Sequence, residues 1–278
     1  MCITPMPIKD GSGCMVHVPC GKCPECRSRR ASAWSFRLMQ QDKISDSSQF
    51  ITLTYDTKHV PISRNGFMEL SKRDLQLFFK RLRKNAGKIQ ATAIKYYAVG
   101  EYGTHTRRPH YHIILFNARQ EDIMPAWGLG HIHYGSLCAA SVGYTLKYIS
   151  KPSWKRLHKN DDRTAQFSLM SKGLGANYLT PQMVKWHKND LENRMYLNLE
   201  GGKKCSMPRY YKDKIYSLSE RQIIGDATAI RIAKKISDQN SRLTYDQYNN
   251  FIRDTKSSIE GQFNKMNSNN QIKSNNEI

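Results

Sequence analysis

The spacing of apolar positions changes several times along the chain, and each change marks an element. "FITLTYD" (50–56) is β-branched and aromatic and predicts a strand. "SKRDLQLFFKRLRKNAG" (71–87) switches to helical spacing, with Leu75, Phe78, Phe79 and Leu82 in one apolar stripe. Ser71 and Asp74 make a capping-box-like start to that helix, and Gly87 supplies a stop. "AIKYYAVGEYG" (93–103) and "PHYHIILF" (109–116) return to strand character. The turn-rich "GTHTRR" between them predicts an antiparallel hairpin. "WGLGHIHYGSL" (127–137) predicts a further short strand, and "SVGYTLKYIS" (141–150) a helix stopped by Pro152. Upstream, "RSRRASAWSFRLMQQDK" (27–43) reads as a basic helix with Trp34, Phe36 and Leu38 turned inward. Hairpins without regular βαβ alternation make the expected fold class α+β, a central antiparallel sheet flanked by helices, with a small module ahead of it.

The same pattern divides the chain. Residues 1–33 form a Cys-rich module, and 34–155 the domain that carries the sheet. Residues 156–216, with "FSLMSKGLGANYL" and "PRYYKDKIYS", are a basic, aromatic extension of that core. Residues 217–263 read as helical, and 264–278 ("NKMNSNNQIKSNNEI") as a low-complexity tail expected to be disordered. No internal repeat is visible.

Charge changes the picture most. The 278 residues carry 44 Lys and Arg against 23 Asp and Glu, a net +21. Such an excess attracts polyanions, so nucleic acid or an anionic membrane is the expected partner. The sequence has no apolar run near the ~20 residues of a spanning helix, and "MCITPMPIKDGSG" has no signal-peptide apolar region. A soluble intracellular protein with no membrane partner is expected. Seven cysteines is an odd number, and three of them, Cys20, Cys23 and Cys26, fall within "PCGKCPEC". In a reducing compartment that spacing favours structural Zn²⁺ over disulfides, with Cys2 or Cys14 as a fourth ligand. Reduced thiols in a tight turn are the alternative.

Two constellations carry candidate chemistry. His110 and His112 are two apart on a strand and so share a face. If the hairpin turns within 103–109, Glu101 falls opposite them, about 5 Å away. Two imidazoles and a carboxylate suit a divalent metal acting on a phosphate. Glu101 as an ion-pair partner of Arg107 or Arg108 is the alternative. "HIH" at 131–133 shows that the spacing alone is cheap. In "YTLKYISK" (144–151), Tyr144, Lys147, Tyr148 and Lys151 share about a third of a helix circumference. The lysines and a metal would favour a phenolate able to attack a phosphodiester. Alternatively, the tyrosines pack on the sheet while the lysines snorkel. Arg107 and Arg108 beside the histidines, and Lys80 and Arg81 on the polar face of 71–87, are candidate phosphate contacts; a merely solvated face is the alternative for the latter pair.

These motifs resemble the HUH endonucleases. "RPHYHIILF" is similar to their His-hydrophobic-His signature and "FITLTYD" to their first motif. "YTLKYISK" resembles the paired-tyrosine motif of replication initiators from small single-stranded DNA phages. "VPCGKCPECRSRRASAW", "FSLMSKGLGANYL" and "PRYYKDKIY" resemble the gokushovirus branch of the microviruses, over residues 2 to 216. The resemblance implies an RRM-like palm and a Mg²⁺ or Mn²⁺ site of His110, His112 and Glu101. It makes Tyr144 and Tyr148 the nucleophiles, assisted by Lys147 and Lys151. Tyr148 is the expected first attacker, since single-tyrosine members carry Y-x-x-K near the helix end. The implied activity is nicking and rejoining of single-stranded DNA at the origin of the viral double-stranded form, through a 5′-phosphotyrosine, in rolling-circle replication in the host bacterial cytoplasm. Host polymerase and helicase are implied partners, and no P-loop is present. Competing readings are a non-catalytic basic zinc protein that binds nucleic acid, a metal hydrolase using water, and a single-tyrosine transposase- or relaxase-like nuclease.

Overall fold

The hairpin expected between residues 93 and 116 is the middle of a five-stranded antiparallel sheet. The computed structural model describes residues 2–9, 11, 13–87, 92–150, 158–199, 202, 204–241 and 244–275. In chain order, β1 (Met6–Lys9), β2 (Met15–Val18) and α1 (Pro24–Asp42) come first. They are followed by β3 (Ser48–Thr54), α2 (Lys72–Ala86), β4 (Lys95–Tyr102), β5 (Pro109–Phe116) and α3 (Gln120–Trp127). Next are β6 (Ile132–Ser136), α4 (Ala139–Ser150), β7 (Phe167–Met170), α5 (Pro181–Lys188), β8 (Tyr196–Asn198) and β9 (Lys204–Ser206). The chain continues through α6 (Arg209–Ile215), α7 (Leu218–Asn240) and α8 (Tyr245–Asn275). The fold class is α+β, as expected.

The chain divides into two compact units, one made of residues 34–177 with 273–278 and the other of 1–33 with 178–272. The first holds the sheet, in the order β6-β3-β5-β4-β7. One sheet face is apolar. Ile51 and Leu53 of β3, Ala98 of β4, and Tyr111, Ile113 and Leu115 of β5 are buried there under Leu75, Phe78, Phe79 and Leu82 of α2 and Ile123 and Trp127 of α3. The stripe expected on 71–87 is thus the roof of the core. Its cap also forms: the Asp74 amide donates to the Ser71 hydroxyl, and Gly87 ends the helix at φ 64°. Gly100 lies between Leu70, Phe167 and Tyr111, each of which would sit 3.1–3.2 Å from an added Cβ. A bare backbone there lets the Tyr111 ring lie flat against the sheet.

β7 pairs with β4, Ala98 opposite Leu169, so the sheet extends past the boundary at 155 drawn from the sequence. Four residues, "FSLM", are too few to show a period. Residues 158–166 lead into β7 through a buried pair that the sequence reading did not single out. Arg163 donates twice to Asp161, at 2.9 and 2.7 Å, and its guanidinium stacks near the Phe67 and Tyr102 rings.

The second unit contains the β1–β2 and β8–β9 hairpins and helices α5 to α8. Ser217 and Glu220 form a reciprocal capping box at the start of α7. α8 runs to Asn275, through residues whose composition reads as a tail. His187 is fully buried: it donates from Nδ1 to the Arg194 carbonyl at 2.7 Å and accepts the Tyr178 hydroxyl at 2.9 Å. Burial holds its pKa below the ordinary 6.5.

Candidate active site

The polar centre lies on the other sheet face. In an antiparallel pair, residues directly opposite share a face. The β4–β5 register puts Glu101 opposite His110, and Val99 opposite His112. The arrangement expected from the hairpin is therefore present: the three ligand atoms lie within 4.8 Å of one another. The Glu101 Oε1 is 2.8 Å from His110 Nε2 and 3.2 Å from His112 Nε2. Glu101 and His112 are 3% and 5% exposed, while the His110 side chain keeps 18% of its surface. The cluster is buried on one side and open on the other.

Each imidazole is aimed by its second nitrogen. His110 Nδ1 is 3.2 Å from the Arg108 carbonyl, which can only accept, so that nitrogen carries the proton. The neutral ring then presents a bare Nε2 to a carboxylate oxygen 2.8 Å away, two lone pairs facing each other. A proton on the ring or a cation shared among the three groups relieves this. His112 Nδ1 is 3.0 Å from the Thr52 hydroxyl, and Thr52 stands opposite His112 in the β3–β5 register. Such outer partners fix ring orientation and ligand basicity. A buried carboxylate with two oriented imidazoles fits a divalent ion such as Mn²⁺, and the imidazoles tilt the preference away from Mg²⁺. Arg107 and Arg108 are not the partners of Glu101 in this arrangement.

α4 brings the tyrosine motif to this face. Val142, Thr145 and Leu146 are its buried stripe. The Tyr144 ring stands edge-on to His112, centroids 5.1 Å apart, and edge-on to Phe50 at 6.2 Å. Phe50 in turn stacks parallel on His112 at 5.8 Å. Lys147 and Tyr148 belong to the last turn of α4, but their side chains, like the whole of Lys151, lie outside the described residues. Tyr111, the residue between the histidines, points to the opposite face. There its hydroxyl is bonded to Tyr55 at 2.9 Å and receives the Ser71 amide at 2.8 Å. Burial pushes its pKa up to about 12, which marks it as a core residue.

The basic candidates separate. Arg108 donates to the Tyr55 carbonyl at 2.6 Å and approaches Thr57 at 3.4 Å, tying the hairpin to the end of β3. Arg107 takes a left-handed backbone, φ 55°, in the turn ahead of β5. Arg81 donates to the Ala126 and Trp127 carbonyls at 2.7 and 3.3 Å, closing the C-terminal end of α3, whereas Lys80 is exposed. Cys2, Cys20, Cys23 and Cys26 do come together, with their sulfurs within 4.8 Å of one another. The Thr4 hydroxyl and nearby amides hold the Cys20 thiol down at about 6, while burial pushes Cys26 up to about 12.

Sequence reasoning missed Thr52 and Phe50 as supports of His112. It also set "HIH" apart from the site. In the sheet, His133 pairs with Thr52, and the Thr54 amide donates to the His131 carbonyl. Two rows therefore cross the same face: His133, Thr52, His112, and His131, Thr54, His110, Glu101. The signal was present as alternation in β3, but only the strand order makes it legible.

With the geometry in hand, the comparisons with known proteins fall on the same residues. Residues 48–153, which span β3 to the end of α4, match a family model described as a replication-associated protein of the ORF2 type. The chain is 29% identical over 258 residues to replication-associated protein VP4 of Bdellovibrio phage phiMH2K, covering 84% of this chain and 79% of that protein. The chain is similar to phage replication-associated proteins. It is also 29% identical to replication-associated protein ORF2 of Spiroplasma virus 4, covering 70% of this chain and 66% of that protein. With replication-associated protein ORF4 of Chlamydia phage 1 the identity is 25%, covering 72% and 54%. The microvirus resemblance read from the motifs thus agrees with these replication-associated relatives. No solved structure matches the chain significantly. Among the described residues no helix is long and apolar enough to cross a membrane.

Proposed function

We propose that this protein is a phage replication initiator that nicks and rejoins single-stranded origin DNA through a tyrosine, with a divalent metal, inside the host bacterium. The observation that supports the reading best is the convergence of Glu101, His110 and His112 on one sheet face, with the Tyr144 ring against His112. The replication-associated relatives support the coarser part, a role in DNA replication at an origin.

Glu101, His110 and His112 would hold a divalent cation, Mn²⁺ or Mg²⁺, whose chemistry is charge neutralisation at a phosphate oxygen. Thr52 and the Arg108 carbonyl keep the two imidazoles turned toward that position. A tyrosine of α4 attacks the scissile phosphorus through its phenolic oxygen. The phenolic O–P bond forms as the bond to the 3′ oxygen breaks. The phenolic proton leaves to solvent, and the departing 3′ oxygen takes one up as a hydroxyl. The 5′ phosphate stays on tyrosine as a diester, so the reverse attack by a 3′ hydroxyl rejoins the strand with no nucleotide consumed. Tyr144 and Tyr148, one helical turn apart, can exchange strands, and Lys147 and Lys151 would offset charge on the pentavalent transition state. The net charge of +21 draws in the polyanion, and Lys80, Arg107 and Arg108 are the proposed local contacts.

Incubation with single-stranded viral DNA and Mn²⁺, followed by denaturing electrophoresis, tests this directly. The expected result is a protein–DNA adduct that survives denaturant and is lost in the Tyr144→Phe, Tyr148→Phe double variant. Its persistence there would overturn the tyrosine mechanism. Nicking without any adduct would favour a water-using hydrolase, and binding without cleavage a non-catalytic protein.

A further inference from the structure

The four clustered cysteines stand apart from the proposed nicking site and bear on a different property. Cys2, Cys20, Cys23 and Cys26 form no disulfide. Cys2 and Cys23 place their sulfurs 3.9 Å apart, far beyond the S–S bond of about 2.05 Å. A tetrahedral ion with metal–sulfur bonds near 2.3 Å has an S···S edge of about 3.8 Å. The spacing suits one ion. An iron–sulfur cluster would set a core of several irons and sulfides among the cysteines and hold them farther apart.

The surroundings are also built for sulfur as an acceptor. The Cys20 amide donates to Cys2 Sγ at 3.3 Å. The amides of Lys22 and Cys23 donate to Cys20 Sγ at 3.4 and 3.3 Å, and the Thr4 hydroxyl donates to the same atom at 3.2 Å. Gly21, with φ 71°, lets the chain turn back so that these amides reach the sulfur. Donors aimed at ligand atoms orient them and stabilise their anionic form.

A third observation concerns what the segment lacks. Through residue 33, the buried residues among those described are Cys23 and Cys26 alone. β1 is exposed throughout and β2 nearly so. A hairpin and a turn with no apolar core need another source of stability, and small modules find it in a metal.

We propose that Cys2, Cys20, Cys23 and Cys26 form a closed tetrathiolate site for a single Zn²⁺, with a structural role in holding the N-terminal module. Thiolates select soft or borderline ions, and four protein ligands leave no open position for chemistry. Cys2 is the fourth ligand; Cys14, exposed just ahead of β2, is not among the four sulfurs. This site is independent of the nicking reading.

The test uses the full chain, purified in Zn²⁺-containing buffer and freed of loose metal with a mild chelator. Elemental analysis should find one zinc per chain in the wild type, in His110→Ala with His112→Ala, and in Cys14→Ser, but none in Cys2→Ser. Co²⁺ substitution should give the intense visible absorption of a tetrahedral thiolate site. Alkylation followed by peptide mass mapping guards against misfolding of a variant. Cys2 and Cys20 are only half-buried, so their protection reports the ion. They should resist alkylation until a strong chelator is added, while exposed Cys14 and Cys138 react at once. A wild-type chain without zinc, zinc retained in Cys2→Ser but lost in Cys14→Ser, or Cys2 and Cys20 reacting as fast as Cys14 would each overturn the proposal. Loss of zinc with the two histidines replaced would do the same.

Discussion

The chain carries two clusters of metal-ligating side chains, and they are built in opposite ways. Glu101, His110 and His112 project from neighbouring strands whose far faces are packed under α2 and α3, so the sheet sets their spacing before any ligand arrives. Cys2, Cys20, Cys23 and Cys26 sit on a turn and the first turn of a helix in a segment without an apolar core. The sheet cluster mixes nitrogen and oxygen donors and is open at His110; the cysteine cluster is all sulfur and closed. A preformed open site suits chemistry at an exchangeable ion, and a closed site without a scaffold suits an ion that serves as the scaffold.

The largest expected effect breaks the comparison at the cysteines. Structural zinc in small modules contributes an apparent ~10–16 kcal/mol of binding that is also folding energy. A strong chelator should therefore make residues 2–33 sensitive to limited proteolysis while the 34–177 unit stays resistant. Equal sensitivity of both regions, or of neither, would dissolve the distinction. At the sheet, Glu101→Gln or His112→Ala should lower nicking by about 10²–10³-fold, the scale seen when one preorganised electrostatic group is removed. The melting temperature should change little, because the strands are held by their other face. Thr52→Val keeps the shape of the side chain but removes the partner of His112 Nδ1. Titration should then show Mn²⁺ affinity weakened by about 10–100-fold, and the same substitution should leave the zinc content unchanged.

Much of this was legible in the sequence, and the exceptions have physical causes. Alternation in "PHYHIILF" and the turn before it gave both the shared face of the histidines and Glu101 across the hairpin, since a hairpin register is a local property. Thr52 and the "HIH" pair belong to the same face only because β3 inserts between β5 and β6. That pairing is nonlocal, and no residue near position 131 announces it. β7 is too short for a period to appear. The buried Asp161–Arg163 pair reads from sequence as two surface charges, and only the rings of Phe67 and Tyr102 make it an interior feature. Lys80 and Arg81 look alike in the sequence, yet Arg81 is engaged by carbonyls at the end of α3.

That last contrast gives the smallest prediction. Arg81→Ala should cost about 1.5–3 kcal/mol of stability in denaturant unfolding, the range for hydrogen bonds to a charged group, and leave the salt dependence of DNA binding alone. Lys80→Ala should do the reverse, lowering the slope of log K against log salt by about one. If both behave alike, the structural difference between them has no energetic meaning.

The central claim is that a tyrosine of α4, beside Glu101, His110 and His112, becomes joined to DNA. Mass spectrometry of the trapped adduct, after nuclease and protease digestion, tests it most directly. The account predicts a nucleotide phosphate on the peptide containing Tyr144 and Tyr148, absent without divalent metal and absent in His110→Ala with His112→Ala. A modification on any other residue, or one formed equally well without the histidines, would contradict it.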